Sequence, residues 1–194
     1  MSSPHSLISL LWAVFVLCWL VLALFNKKAS RNTPAWAGWG VRAAILVGVL
    51  IVVPFRRHAV ADLIASINRS LPVQLGAAGQ WVGVGLCLIG IAFAIWARLY
   101  LGRNWGMPMS LRRGHELVTS GPYRYVRHPI YSGIMLAMIG SAVTESPLWM
   151  LLFALYFAYF LFSARSEEKT MLAQFPETYP AYRRRTKMLI PLVF

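Results

Sequence analysis

Residues 117–133 read LVTSGPYRYVRHPIYSG, and the architecture follows from how this stretch begins and how it ends. Thr119, Ser120, Gly121 and Pro122 form a turn cluster, and residues 123–127 are aromatic and cationic. Pro129 has the fixed φ that suits a first helical position, which leaves His128 at the helix start. From Ile130 the chain is apolar through Val143, with Gly133, Ala137 and Ser141 at i, i+4 and i+8, a small-residue stripe that admits close approach of a second helix. A polar, basic loop therefore runs directly into a membrane helix. The free N–H groups and positive dipole end of that helix point at whatever the loop encloses, so an anionic or electron-rich ligand group is expected there.

The rest of the chain reads as a scaffold for this stretch. Hydrophobic residues make up 58% of the 194 positions, which excludes an ordinary soluble protein. Nineteen basic side chains oppose six acidic ones. With so apolar a chain, the expected partner for that excess is an anionic leaflet, and nucleic acid is not expected because no binding motif accompanies the charge. Cys18 and Cys87 lie inside apolar runs and read as small core residues.

Residues 7–25 have the length of a bilayer crossing and are followed by Lys27, Lys28 and Arg31, the reverse of a signal peptide, so an uncleaved first span is expected. Residues 36–55 form the second span. Val60, Leu63, Ile64, Ile67 and Leu71 then recur at helical spacing, an amphipathic interfacial helix ended by Pro72. Residues 81–100 are the third span. Its Gly83, Gly85 and Gly90 do not spell GxGxxG and follow no strand, so they read, with Gly79, as helix contacts. Residues 129–143 and 148–164 make a helical hairpin across the turn 144–147, and Glu167 and Glu168 sit on a continuation of its second helix. The fold class is thus all-α integral membrane, with about five transmembrane helices. Residues 1–101 supply N-terminal helices, and residues 102–194 a catalytic region built from the loop before the fourth helix and the tail after the fifth.

Fifteen basic residues in the first loop, in residues 98–127 and in the tail fall on one side of such a five-span chain, against Arg56, Arg57 and Arg69 on the other. The excess of positive charge places the polar loop and tail in the cytoplasm. Met188 to Phe194 are expected to dip back to the membrane surface.

The segments LVTSGPY (117–123), RHPIYSG (127–133) and the Glu167–Glu168 pair resemble the isoprenylcysteine carboxyl methyltransferases and their phospholipid methyltransferase relatives, over roughly residues 102–191. The resemblance implies an S-adenosylmethionine-dependent methyltransferase acting on a lipid or prenylated acceptor. It implies cofactor contacts along His115, Glu116, Leu117 and Val118, at Tyr123, along His128, Pro129, Ile130 and Tyr131, and at the Glu pair. It also implies that Arg165 helps to hold the acceptor.

The hairpin brings the RHPxYxG loop and the Glu pair together, because the polar ends of antiparallel neighbours are adjacent. S-adenosylmethionine needs a partner for its α-carboxylate, which His128 or Arg127 can supply with the helix N-terminus, and a carboxylate for its ribose hydroxyls or ammonium, which Glu167 or Glu168 can supply. Tyr123 and Tyr131 offer aromatic faces toward the sulfonium or adenine. One of the two glutamates is expected to be solvated, and Arg183, Arg184 and Arg185 read as a leaflet-binding face. No metal is expected, since His5, His58, His115 and His128 share no ligand spacing. The alternatives are a phospholipid N-methyltransferase, an NADPH-dependent membrane reductase similar to the sterol reductases, and a scaffold without catalytic activity.

Overall fold

A computed structural model describes residues 3–23, 76–102, 117–146 and 148–190, together with Ser66. The second span, the interfacial helix, and His115 and Glu116 lie outside the described residues. Within them are five helices: α1 (Pro4–Ala23), α2 (Ala77–Leu101), α3 (Pro129–Thr144), α4 (Leu148–Gln174) and α5 (Tyr179–Arg185), with a 3-10 turn over Gly121–Arg124. No extended strand occurs among the described residues; Val126 and Lys187 form an isolated parallel bridge.

Three of these helices, α1, α2 and α4, are long and apolar enough to cross a membrane. The 16 residues of α3 reach only about 24 Å, short of a hydrocarbon layer of about 30 Å. Outward side chains such as Leu17, Val82, Leu155 and Phe162 are more than 60% exposed and apolar. Such a surface suits lipid rather than water.

The tightest packing in the fold joins α2 to α3, and its cause is the expected stripe. A methyl group on Gly90 would stand 2.5 Å from Ala137 N and from the Gly133 carbonyl oxygen, so the two backbones touch where side chains are missing. Gly83 meets Gly140 and Thr144 in the same way. Gly85 faces no described atom within 4 Å, so only two of these three glycines serve the contact. Polar side chains tie the same seam: Thr144 Oγ1 donates to the Gln80 carbonyl at 3.0 Å, and Trp12 Nε1 of α1 donates to Ser141 Oγ at 2.9 Å. Trp12 also stacks on Trp149 at 5.9 Å.

These ties fix the directions. The start of α2 meets the end of α3, and His5 Nδ1 lies 3.4 Å from Glu145 in the hairpin turn. Both α1 and α2 therefore run away from that turn, and α4 follows them beyond residue 164 to Gln174, which carries Glu167 and Glu168 on a helix as expected. The far end of the bundle collects the C-termini of α1, α2 and α4 around the start of α3.

Arg98 consolidates this end. The orientation count treats it as a loop cation, yet it lies in the last turn of α2 and is 2% exposed. Its Nη1 donates to the Gly102 carbonyl and its Nη2 to the Leu22 carbonyl, both at 2.9 Å, and its guanidinium stands 5.9 Å from the Trp19 ring. Carbonyls at two helix ends are satisfied by one cation, which is favourable at a C-terminus.

Candidate active site

The loop that begins the site is moulded onto the end of α2. Gly121 has φ +58°, and a side chain there would meet the Tyr100 ring at 2.6 Å, so glycine is required on both counts. Tyr100 donates to Ser120 Oγ at 2.9 Å. Tyr123 turns inward against Ala97, Ile130 and Val118, and its hydroxyl lies 3.4 Å from the Ala97 carbonyl. Burial pushes its phenol well above the usual range, so it stays neutral. Leu117 is half-buried.

Pro129 opens α3 and His128 caps it, as the sequence predicts. The His128 side chain is 9% exposed, with Nδ1 3.4 Å from Glu167 Oε2 and Nε2 3.7 Å from Glu168 Oε1. Burial alone would lower its pKa, but hydrogen bonding and charge from Glu167 and Glu168 outweigh that, and the imidazole is raised above its ordinary 6.5. Tyr131, one turn on, donates to Glu167 Oε1 at 2.5 Å. Its ring lies between His128 (5.5 Å, 5°) and Phe160 of α4 (4.5 Å, 11°), a continuous aromatic stack.

The two glutamates divide their work. Glu168 is 4% exposed and accepts from Arg127 Nε at 2.5 Å, with Arg183 Nε of α5 at 3.3 Å from its other oxygen. Glu167 is partly open and holds His128 and Tyr131. Glu168 is closed off from solvent by the loop and α5, while Glu167 keeps about 25% of its side chain exposed, in keeping with the expectation that one of the pair meets solvent. Arg127 Nη1 donates to the Arg183 and Thr186 carbonyls.

The tail also differs from expectation. Residues 188 and 189 do not turn outward: Leu189 is fully buried with Met135 and Phe160, and Met188 packs against the same cluster. Pro129 and Ile130 are buried. The Arg165 side chain is exposed and makes no hydrogen bond or ion pair among the described residues. Phe160 escaped the sequence reading, although it stands seven residues, two helical turns, before Glu167 and so shares its face. No group of three metal-ligating side chains occurs among the described residues.

An apolar hairpin with a partly buried His128–Tyr131–Glu167 cluster at its polar end suits a membrane-embedded protein. The family model of the isoprenylcysteine carboxyl methyltransferases matches residues 83–174. Protein-S-isoprenylcysteine O-methyltransferase B of Arabidopsis thaliana is 30% identical over 184 residues, 90% of this chain and 92% of the relative. Methanethiol S-methyltransferase 2 of Bradyrhizobium diazoefficiens is 31% identical over 177 residues, covering 90% of this chain and 56% of the relative. A cobalt-zinc-cadmium resistance protein of Cupriavidus metallidurans is 36% identical over 120 residues, 58% of this chain and 52% of the relative. The chain belongs to the isoprenylcysteine carboxyl methyltransferase family. It spans about half the length of several curated relatives that it matches.

Proposed function

We propose that this chain is a membrane methyltransferase that uses S-adenosylmethionine to methylate a lipid-borne acceptor, the α-carboxylate of a C-terminal S-isoprenylcysteine. The observation that carries the reading is the joining of His128, Tyr131 and Glu167 at the edge of an apolar bundle, in a chain of this family. His128 Nε2 is buried and 3.7 Å from Glu168 Oε1, an ion-pair distance that leaves it without a hydrogen bond among the described residues, and in this reading it donates to the ligand carboxylate.

S-adenosylmethionine supplies an electrophilic methyl group on a sulfonium. In this reading His128, whose protonated form the glutamates favour, binds its carboxylate. Glu167 accepts from its ribose hydroxyls or ammonium, while Tyr131, whose ring faces are taken by His128 and Phe160 and so are not offered to the sulfonium or adenine, holds Glu167 through its hydroxyl. Tyr123, Pro129 and Ile130 shape the wall. His115, Glu116, Leu117 and Val118 complete the same cofactor side by family resemblance. Glu168 and Arg127 hold the wall from behind.

An acceptor carboxylate is ionised at neutral pH and needs no general base, so the chain's task is alignment and exclusion of water. Arg165, exposed on α4 three residues before Glu168, orients that carboxylate. Residues 1–101 act as the scaffold and 102–194 as the catalytic region, with the site end facing the cytoplasm and the exposed Arg184, Arg185 and Lys187 on the anionic leaflet.

A small thiol is the second acceptor reading, favoured by the methanethiol methyltransferase that aligns with 90% of the chain. A thiol is mostly protonated at neutral pH, so Glu167 would then also receive its proton.

Calorimetric titration of S-adenosylhomocysteine into the detergent-purified protein tests the cofactor, with His128→Ala as control. Methyl transfer from labelled S-adenosylmethionine to a farnesylated cysteine, an alkane thiol and a phospholipid amine then ranks the acceptors. The expected result is binding that His128→Ala abolishes and transfer to the prenylcysteine. A folded wild type that ignores S-adenosylhomocysteine refutes the reading.

A further inference from the structure

The cluster is backed by a segment that carries no motif. Residues 186–190 leave α5 and lie beside the loop into α3, with Val126 and Lys187 as a parallel bridge. The Arg127 N–H donates to the Lys187 carbonyl at 2.9 Å, and the His128 N–H to the Met188 carbonyl at 3.1 Å. Arg127 Nη1 reaches the Thr186 carbonyl. Ser132 Oγ is within hydrogen-bond reach of both the Leu189 carbonyl and the His128 carbonyl.

His128 is thereby held at its N–H by the segment, and at its carbonyl by Ser132, whose Oγ also reaches the Leu189 carbonyl. Its φ of −123° and ψ of 61° lie outside the helical basin, so α3 alone does not set its direction. The grip is anchored by Leu189, fully buried beneath Phe160, the ring that closes the stack on Tyr131. Glu168 ties both ends of this assembly together, through Arg127 on the loop and Arg183 at the root of the segment. A tail that merely rested on the membrane surface would turn its leucine outward.

We propose that residues 186–190 are a positioning strap for His128, anchored by Leu189, so that cofactor affinity depends on a segment outside the His128–Tyr131–Glu167 cluster. The proposal rests on the reading of His128 as a cofactor residue, and the test separates the two.

The full chain, purified in detergent, is compared with Leu189→Ala, Leu189→Met and Ser132→Ala. Each protein is read by thermal unfolding, by S-adenosylhomocysteine titration, by steady-state kinetics, and by the NMR signal of ring-labelled histidine. The His128 resonance is assigned by its loss in His128→Ala. Ser132→Ala and Leu189→Ala are expected to move that resonance, weaken S-adenosylhomocysteine at least fivefold, and raise KM for S-adenosylmethionine while kcat stays within about twofold. Leu189→Met restores most of the affinity because it refills the same volume. Ser132→Ala leaves the core packed, so it decides the matter if Leu189→Ala does not fold. An unmoved His128 resonance with wild-type affinity in folded Ser132→Ala overturns the strap. A moved resonance in a protein that never binds S-adenosylhomocysteine supports the strap and overturns the cofactor reading instead.

Discussion

Gly133 sits where the fold and the site meet, and replacing it by alanine tests how firmly they are joined. A methyl group there would lie 2.6 Å from the Gly90 carbonyl oxygen and 2.7 Å from Ala94 N, whereas ordinary contact begins at 3.4 Å. The neighbours are backbone atoms that cannot rotate away, so α2 and α3 must separate by close to 1 Å, the difference between 2.6 and 3.4 Å. Overpacking of this kind costs about 3 kcal/mol at its upper end, and the better helix propensity of alanine returns about 1 kcal/mol, leaving a net loss of about 2 kcal/mol. For a chain of this size that is a fall of about 4–8 °C in Tm. Because His128 is five residues upstream on the same helix, the displacement also reaches the site, where a misplacement of about 1 Å can cost about a hundredfold in rate. The control is Gly85→Ala, with no described atom within 4 Å, which is expected to gain up to about 1 kcal/mol. Thermal unfolding in detergent and S-adenosylhomocysteine titration read both variants. If Gly133→Ala is as stable and binds as tightly as Gly85→Ala, the close backbone seam does not position the site.

Other perturbations separate the remaining roles. His128, raised above 6.5 by its two carboxylates, contributes stability that is fully present below the unfolded value and is lost as pH rises through the higher folded value. Thermal stability should therefore fall as pH increases upward from about 6.5, and His128→Gln should flatten that slope; an unchanged slope removes His128 as the titrating group. Tyr131→Phe keeps the stack on Phe160 but loses the bond to Glu167, so S-adenosylhomocysteine should bind about tenfold more weakly, and Tyr131→Ala more weakly still. Full affinity in Tyr131→Phe would mean that Glu167 is oriented by other means. Arg98→Met leaves the Leu22 and Gly102 carbonyls without their donor and should cost about 3 kcal/mol in thermal unfolding, whereas a neutral result would show that water replaces it.

Short-range rules carried much of this protein. Proline at the first position of α3, histidine before it, and small residues every fourth position are local signals, and the cap and the α2–α3 seam followed from them. The hairpin likewise implied that residues 127–131 and 167–168 meet, because an antiparallel pair has no other arrangement of its ends. What each residue does there was a matter of tertiary structure. Glu167 and Glu168 are adjacent and chemically the same in sequence, yet on a helix they point about 100° apart. Glu168 meets Arg127 and Arg183, Glu167 meets Tyr131, and His128 lies between the two carboxylates, an arrangement that depends on where α5 docks. Arg98 reads as a surface cation until the end of α1 is brought to it. Leu189 reads as a membrane-surface residue until the tail folds back against α3. Helical periodicity and capping act over a turn or two of chain and are written in the residues themselves. Leu22, Arg127 and Phe160 lie 76, 41 and more than 20 residues from Arg98, Glu168 and Leu189, and only packing of the bundle brings them together.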